Sequence, residues 1–304
     1  MSKSAAPAKS FGDEKRFGNE KTFALALGGG GARGIAHIAV LEALDEIGRK
    51  PAAIAGTSIG ALIGAAYAAG MSGKDIRRFV VALAHNRTEV FRRLIATRAS
   101  TFANLFNIGF GSATLVDAEK FCAQFLPDKV PDDFGALEIP LTIIATDLYR
   151  RRQAPFSSGP LRPVLAASIA LPTVMRPVVV EDRVLIDGGA TNPLPFDQLC
   201  GRADVVVAVD ISGEPREERR DIPNPWECLL NTVLVMGNAI TSEKVKHAAP
   251  DLIVRPRVGR FRALDFLQAS AILRASEPAK AELKQKLAAL LAPEDDGLPE
   301  KAQQ

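Results

Sequence analysis

The 304 residues suffice for one large domain or two small ones, and 47% hydrophobic with 24% charged residues is an ordinary globular composition. A net charge of +3, from 38 basic and 35 acidic residues, lacks the basic excess typical of nucleic-acid binding, so we expect no nucleic-acid partner. The three cysteines have no paired short spacing, which indicates neither a disulfide framework nor a metal site.

Both ends of the chain lack the pattern of a structured segment. Residues 1–20 mix charged, glycine and serine residues without the apolar stretch of a signal peptide, and no run of about 18 apolar residues follows. We expect a disordered leader over residues 1–20, a single domain over residues 21–292 and a frayed tail over residues 293–304. The expected location is the cytoplasm, with peripheral membrane contact as an open alternative.

In chain order, short apolar runs alternate with stretches of helical periodicity. A strand at residues 22–27 leads through a glycine loop to a helix at 35–47, and a strand at 52–55 leads through a turn to a helix at 61–69. Two such units in tandem predict a parallel sheet. Further strands are predicted at residues 141–145, 178–180, 183–187, 204–209 and 251–254, and further helices at residues 74–85, 117–125, 164–169, 226–247 and 279–291.

Residues 87–111 are irregular and mix phenylalanine, leucine and isoleucine with basic residues. Such a composition fits a lid or a membrane-facing surface, and it also fits an excursion that packs against the core. The sequence leaves both interpretations open.

Residues 56–60 read GTSIG, a G-x-S-x-G pentapeptide between a predicted strand and a predicted helix. This is the context of a nucleophile elbow, in which a strained turn exposes a serine hydroxyl. Gly56 and Gly60 lack a Cβ atom, so the backbone can adopt unusual angles and a substrate can approach closely. Ser58 is therefore the candidate nucleophile, and a plain tight turn is the alternative.

The first predicted strand ends in GGGGARG, from Gly28 to Gly34, which offers a row of backbone N–H donors. A dinucleotide site needs an acidic residue at the end of the next strand, and a P-loop needs a lysine after the glycines; the chain has neither. We interpret the loop as an oxyanion hole formed by the amides of about Gly30 and Gly31. Two roles stay open for Arg33, contact with a phosphate headgroup and a structural ion pair.

A serine nucleophile needs a base. The three histidines, His247 among them, lie in predicted helices rather than in a loop after a late strand, where an α/β-hydrolase places its base. Asp187 ends a predicted strand and precedes Gly188 and Gly189. A desolvated carboxylate can accept the serine proton, because burial makes it a stronger base. Asp187 is therefore the candidate base, and a hairpin turn is the alternative for this DGG sequence.

The glycine loop, the GTSIG turn and the DGG sequence, in this order, resemble the patatin-like phospholipase family. RGIAHIAVLEAL after the glycine loop, ASIALP at residues 167–172 and NPLP at residues 192–195 extend the resemblance over residues 23–209. The resemblance implies a three-layer α/β/α sandwich with a mainly parallel central sheet. It also implies metal-independent hydrolysis of acyl esters.

Applied to this chain, the resemblance makes Ser58 the nucleophile and Asp187 its proton acceptor. It assigns the oxyanion hole to the amides around Gly29, Gly30 and Gly31. The same motifs include six supporting positions: Arg33, Gly34, Gly56, Gly60, Gly188 and Gly189.

The sequence thus predicts a cofactor-independent serine hydrolase of lipid esters. The ester belongs to a phospholipid, a lysophospholipid or a neutral lipid, and the sequence does not choose among them. Three other functions stay open: an α/β-hydrolase with His247 as base, a non-catalytic lipid-binding or regulatory protein on the same fold, and a dinucleotide-binding protein.

Overall fold

The computed structural model describes residues 21–86, 116–213, 222 and 225–292. The predicted leader, the predicted tail and residues 87–111 lie outside the described residues. Eight strands are described, and all belong to one sheet: β1 (Phe23–Leu27), β2 (Ala53–Thr57), β3 (Leu141–Asp147), β4 (Arg152–Phe156), β5 (Val178–Val180), β6 (Arg183–Asp187), β7 (Val205–Val209) and β8 (Leu252–Val254).

The strand order is β5-β6-β3-β2-β1-β7-β8, with β4 paired to β3. Strand β1 lies between β2 and β7. In the part of this order that runs from β3 to β8, each pair of neighbouring strands is parallel. Strands β4 and β6 run antiparallel to β3, and β5 and β6 form a hairpin. The sheet is therefore mainly parallel, as predicted, with an antiparallel part at one side.

The helices flank this sheet. Their bounds are α1 (His37–Glu46), α2 (Ile59–Ala68), α3 (Gly73–His85), α4 (Ala118–Phe125), α5 (Leu161–Ser168), α6 (Pro225–His247), α7 (Ala269–Ser276) and α8 (Pro278–Leu291). Each predicted strand and helix occurs, with ends shifted by a few residues. The sequence interpretation missed β4 and α7, and it began the first helix at Ile35, within the last turn of a 3-10 helix at Gly31–Ala36.

Side chains of β1 show how the two faces of the sheet are covered. Phe23, Leu25 and Leu27 belong to a large apolar cluster that includes residues of α1 and α2. Ala24 and Ala26 point to the opposite face, because successive strand residues alternate. They pack in a second cluster with the 3-10 helix Phe196–Leu199 and with Val245 of α6. Both faces are covered, so the protein has the predicted α/β class with a buried central sheet.

The registers on β3 bring two distant strand ends together. Strand β4 pairs with Ile143 to Asp147 along one edge of β3, so β2 and β6 share the other edge. On that edge Thr57 lies opposite Ile144, and Asp187 lies opposite Ala145. Since β2 and β6 run in opposite directions, their carboxyl ends meet head to head.

Candidate active site

The turn between β2 and α2 holds Ser58 in a strained backbone conformation, with φ 54° and ψ −123°. Positive φ is uncommon for non-glycine residues, and such strain concentrates at functional turns. The flanking glycines are sterically required. A Cβ atom on Gly60 would lie 2.2 Å from the Leu27 carbonyl oxygen, and one on Gly56 would lie 2.7 Å from Ala61 Cα. The turn therefore has the strand–turn–helix geometry of a nucleophile elbow.

The hydroxyl of Ser58 donates a hydrogen bond of 2.6 Å to Asp187 Oδ2. The Ser58 N–H donates to Ser168 Oγ at 2.9 Å, and that hydroxyl donates to the Ile144 carbonyl oxygen at 2.6 Å. The elbow is thus anchored to β3 at the position where Asp187 arrives. Two residues far apart in sequence lie within direct proton-transfer distance.

Asp187 is a buried carboxylate with few partners. It is 6% exposed, and its Oδ1 accepts the Gly189 N–H at 2.7 Å. Burial raises the pKa of Asp187 from 3.8 to about 6, although the hydrogen bonds from Ser58 and Gly189 lower it. The turn after it is tightly packed, since a Cβ atom on Gly188 would lie 2.2 Å from the Ile144 carbonyl oxygen. The result is an ionised carboxylate at neutral pH that is a stronger base than an ordinary aspartate.

The glycine loop lies against the elbow, and its amides differ in availability. A Cβ atom on Gly29 would lie 3.4 Å from Ser58 Cβ. The Gly29 N–H already donates to the Pro193 carbonyl oxygen at 2.9 Å, and this acceptor competes with the predicted role of Gly29 in an oxyanion hole. Gly30 and Gly31 begin the 3-10 helix, where first-turn amides have no acceptor within the helix. Both residues line the cavity at Ser58, so their amides stay the predicted donors.

Arg33 holds the loop in place. Its Nε donates to the Phe261 carbonyl oxygen at 2.8 Å, and its Nη1 donates to the Ser212 carbonyl oxygen. These two contacts favour the structural one of the two open roles of this residue. Gly34 permits the loop to contact α2, because a Cβ atom there would lie 2.2 Å from Ile59 Cγ2.

The segment after the DGG turn braces the elbow and the glycine loop, a role that the sequence interpretation missed. The Asn192 carbonyl oxygen accepts from the Thr57 hydroxyl at 2.8 Å, and its neighbour Pro193 accepts from the loop. The Asn192 side chain accepts from Lys244 at 2.6 Å and donates to Asp197 at 2.9 Å. Lys244 also forms an ion pair with Asp197. The NPLP sequence at residues 192–195 was the available signal for this brace.

The histidines occupy structural or surface positions. His37 is fully buried, and its Nε2 lies 2.8 Å from the Gly28 carbonyl oxygen, so Nε2 carries the proton. Burial is the main cause that lowers the pKa of His37 to about 4, which keeps the ring neutral. His247, the alternative base, has a side chain 78% exposed that pairs with Glu243 rather than with Ser58. The geometry therefore favours Asp187 over His247 as the partner of the serine.

A cavity of about 470 Å³ opens at the elbow. Ser58, Asp187 and the glycine loop form one part of its wall, and most of the remaining wall is apolar. This size and lining suit a small organic ligand with a long apolar portion. Large side chains of α2, α3, α4 and the segment before β5 line it, among them Leu62, Phe79, Leu83, Phe121, Phe125 and Met175.

Two further features concern metals and membranes. Within residues 21–86, 116–213 and 225–292, no three histidine, cysteine or acidic side chains come together as a set of metal ligands. None of the helices in this described part of the chain combines the length and the apolar character that a membrane span requires.

Comparison with known proteins identifies the family of this chain. The model of the patatin-like phospholipase family matches residues 25–200, more than half of the chain. The chain belongs to the patatin-like phospholipase family. It is 36% identical over 219 residues to a protein of the NTE family from Mycobacterium tuberculosis, a match that covers 71% of this chain and 57% of the relative. The chain thus spans little more than half the length of that relative.

More distant similarities extend to a fungal protein and to solved structures. The Aspergillus fumigatus lysophospholipase nte1 is 32% identical over 191 residues, which is 62% of this chain and 12% of that protein. The crystal structure of VipD from Legionella pneumophila has a TM-score of 0.48 and 13% identity, and it covers 88% of this chain and 67% of VipD.

Proposed function

We propose that this chain hydrolyses acyl esters of lipids, with phospholipids or lysophospholipids as substrates, through a Ser58 and Asp187 dyad. The proposal rests chiefly on the 2.6 Å hydrogen bond from Ser58 Oγ to Asp187 Oδ2 in the wall of an apolar cavity. Family membership and the lysophospholipase activity in the name of the fungal relative support the substrate class.

In the acylation step, Ser58 Oγ attacks the carbonyl carbon of the ester while Asp187 takes its proton. The carbonyl oxygen becomes an oxyanion, which the N–H groups of Gly30 and Gly31 stabilise. Such a donor contributes roughly 3 to 4 kcal/mol to the transition state in other hydrolases. Collapse of the tetrahedral intermediate releases the alcohol, which takes the proton from Asp187, and leaves an ester between the acyl group and Ser58.

Deacylation repeats the same chemistry with water. Asp187 takes a proton from the attacking water, the oxyanion forms again at the glycine loop, and Ser58 leaves with the proton from Asp187. The apolar cavity holds the acyl chain in both steps, so the reacting carbonyl stays near Ser58. All proposed steps use protein groups and water.

A second serine and aspartate pair lines the same cavity and provides a matched control. Ser212 Oγ donates to Asp210 Oδ1 at 2.6 Å, the same distance as in the proposed dyad. Asp210 forms an ion pair with Arg255 at 3.1 Å, and the Ser212 N–H donates to the same carboxylate oxygen at 3.0 Å. These contacts form a local turn in which the carboxylate of Asp210 is paired with Arg255. We assign this pair no catalytic role.

The test compares the wild type with Ser58→Ala, Asp187→Ala and Ser212→Ala on p-nitrophenyl butyrate and on phosphatidylcholine vesicles, with and without EDTA. We expect the first two variants to lose hydrolysis on both substrates, and Ser212→Ala and EDTA to leave it unchanged. An alkyl fluorophosphonate should modify Ser58, as located by mass spectrometry. Activity that survives in Ser58→Ala contradicts the dyad, and a folded wild type without any hydrolysis favours the non-catalytic alternative.

A further inference from the structure

A basic and apolar segment lies at the mouth of the cavity. We call Arg255–Leu267 the rim segment. Its first half alternates between exposed arginines and buried apolar residues, so the guanidinium groups share the solvent side while Pro256, Val258 and Phe261 anchor the segment. The exposed set is Arg255, Arg257, Arg260 and Arg262.

The second half of the rim segment is apolar and exposed. Three large apolar residues are exposed here: Leu264 (54%), Phe266 (42%) and Leu267 (50%). All three also line the cavity. A large apolar side chain that belongs both to a cavity wall and to the outer surface marks the cavity entrance. The acidic residue of the segment, Asp265, accepts the Arg262 N–H at 2.8 Å, within the segment itself.

Helix α6 extends the apolar surface at this entrance. Val233 and Leu234 line the cavity, whereas the adjacent Val235 and Met236 are 67% and 58% exposed. At these two positions the outer surface of the helix is apolar, whereas the outer face of a surface helix is typically polar. Exposed apolar side chains thus occur on two separate elements that both contribute to the cavity wall.

The rim segment is also joined to the proposed oxyanion loop. The Ala32 N–H donates to the Ala263 carbonyl oxygen at 2.7 Å, and Arg33 Nε donates to the Phe261 carbonyl oxygen at 2.8 Å. A Cβ atom on Gly31 would lie 2.2 Å from that Ala263 oxygen, so the two segments are in direct contact. A surface that docks on the rim segment would therefore lie next to the reacting groups.

We propose that the rim segment docks the protein on an anionic phospholipid bilayer, with Arg257 and Arg260 at the phosphate groups and Leu264, Phe266 and Leu267 in the interfacial layer. Exposed arginines attract anionic lipid headgroups, and adjacent exposed apolar side chains insert at the boundary of headgroups and acyl chains. The cavity mouth then faces the lipid. This inference builds on the proposed lipid hydrolysis and adds where the protein meets its substrate.

The binding test uses Ser58→Ala protein, so that the lipid stays intact. Co-sedimentation is measured with vesicles of phosphatidylcholine alone and with about one third phosphatidylglycerol. We expect binding to the anionic vesicles only, weakened as salt rises from about 0.05 M to about 0.5 M. Adding Arg257→Gln and Arg260→Gln should weaken it roughly thirtyfold, at about 1 kcal/mol per arginine. Adding Phe266→Gln and Leu267→Gln should weaken it too, without removing charge.

The matched control removes the same charge from another exposed site. Arg151 and Arg152 lie in the β3–β4 hairpin, are exposed, and do not line the cavity. Adding Arg151→Gln and Arg152→Gln to Ser58→Ala should leave vesicle binding within about twofold of the parent, because the lost charge lies away from the rim. Three results would each overturn the docking proposal. They are an equal loss of vesicle binding in the two double-arginine variants, equal binding to both vesicle types, and no vesicle binding at all.

Soluble p-nitrophenyl butyrate separates this proposal from the proposed function. With Ser58 intact, the variant with Arg257→Gln and Arg260→Gln should hydrolyse this ester at the wild-type rate, which also shows that it is folded. Phe266 and Leu267 line the cavity, so the folding of their variant is checked by circular dichroism instead. Ester hydrolysis without vesicle binding refutes docking and leaves the dyad standing. Vesicle binding by a folded wild type that hydrolyses neither substrate refutes the dyad and leaves docking standing.

Discussion

Asparagine in place of Asp187 removes a carboxylate that folding has to bury. Burial raises the pKa of Asp187 from 3.8 to about 6, so the folded protein holds the ionised form less favourably than the unfolded chain does. Each pKa unit corresponds to about 1.36 kcal/mol, so the destabilisation at neutral pH is about 3 kcal/mol. We expect Asp187→Asn to increase the free energy of unfolding by up to about 3 kcal/mol, while it abolishes ester hydrolysis.

The pH dependence of this effect has a definite sign. The unfolded chain releases the Asp187 proton near 3.8 and the folded protein releases it near 6, so the folded state binds more protons between these values. The wild type therefore loses stability as the pH rises through this window. The advantage of Asp187→Asn should be absent below about pH 4 and complete above about pH 7.

The asparagine side chain fits the site. Its Oδ1 can still accept the Gly189 N–H, now at 2.7 Å, and its Nδ2 can donate to Ser58 Oγ, which lies 2.6 Å from the present Oδ2. The asparagine thus keeps a hydrogen bond to each of these two partners, so the charge is the main change.

The assay is urea denaturation followed by circular dichroism over a series of pH values. Asp197→Asn is the matched control. Burial raises the pKa of Asp197, but hydrogen bonds from Lys244, Asn192 and Gln198 lower it by more, so the net direction is downward. Its replacement should therefore destabilise the protein at neutral pH. The reasoning is refuted if Asp187→Asn is no more stable than the wild type at neutral pH, or if its gain persists unchanged at about pH 4.

Hydrolysis of a soluble ester by the wild type should rise as the pH increases through about 6, because only ionised Asp187 accepts a proton; a flat rate between about pH 5 and 8 contradicts this. Gly60→Ala should destabilise the fold by several kcal/mol, because its Cβ atom would lie 2.2 Å from the Leu27 carbonyl oxygen. Gly237→Ala, with no atom nearer than 3.5 Å, should instead stabilise its helix by up to about 1 kcal/mol, and equal urea midpoints would count against the steric argument. Arg33→Met should lower kcat on the soluble ester about tenfold or more through loss of two hydrogen bonds to carbonyl groups, whereas a change in KM alone contradicts a positioning role.

The elements that the sequence interpretation found and missed differ in how strongly their local pattern is expressed. Strand β1 is a continuous apolar run, which is typical of a strand buried on both faces. Strand β4 contains Pro155 and exposed residues, so its pattern resembles a loop. Helix α7 is the exception, because it was overlooked although its buried residues follow helical spacing: Ala269, Ile272, Leu273 and Ser276.

The sequence by itself determined the features that depend on local backbone geometry. A strained elbow at Ser58 needs a glycine at each of its flanks, and the tight turn after Asp187 needs one as well. These requirements leave a readable pattern, because each is met by residues that are neighbours in the chain. Ser58, Asp187 and the glycine loop could therefore be nominated without any tertiary information.

Only the tertiary structure decided how these residues meet and what each can do. Ser58 and Asp187 are 129 positions apart, and their contact follows from the registers of β2 and β6 on β3. The same packing buries Asp187 and raises its pKa, directs the Gly29 amide to Pro193 and turns Arg33 toward carbonyl groups. Strand register and burial arise from contacts between distant segments, whereas local sequence pattern reports only neighbouring residues.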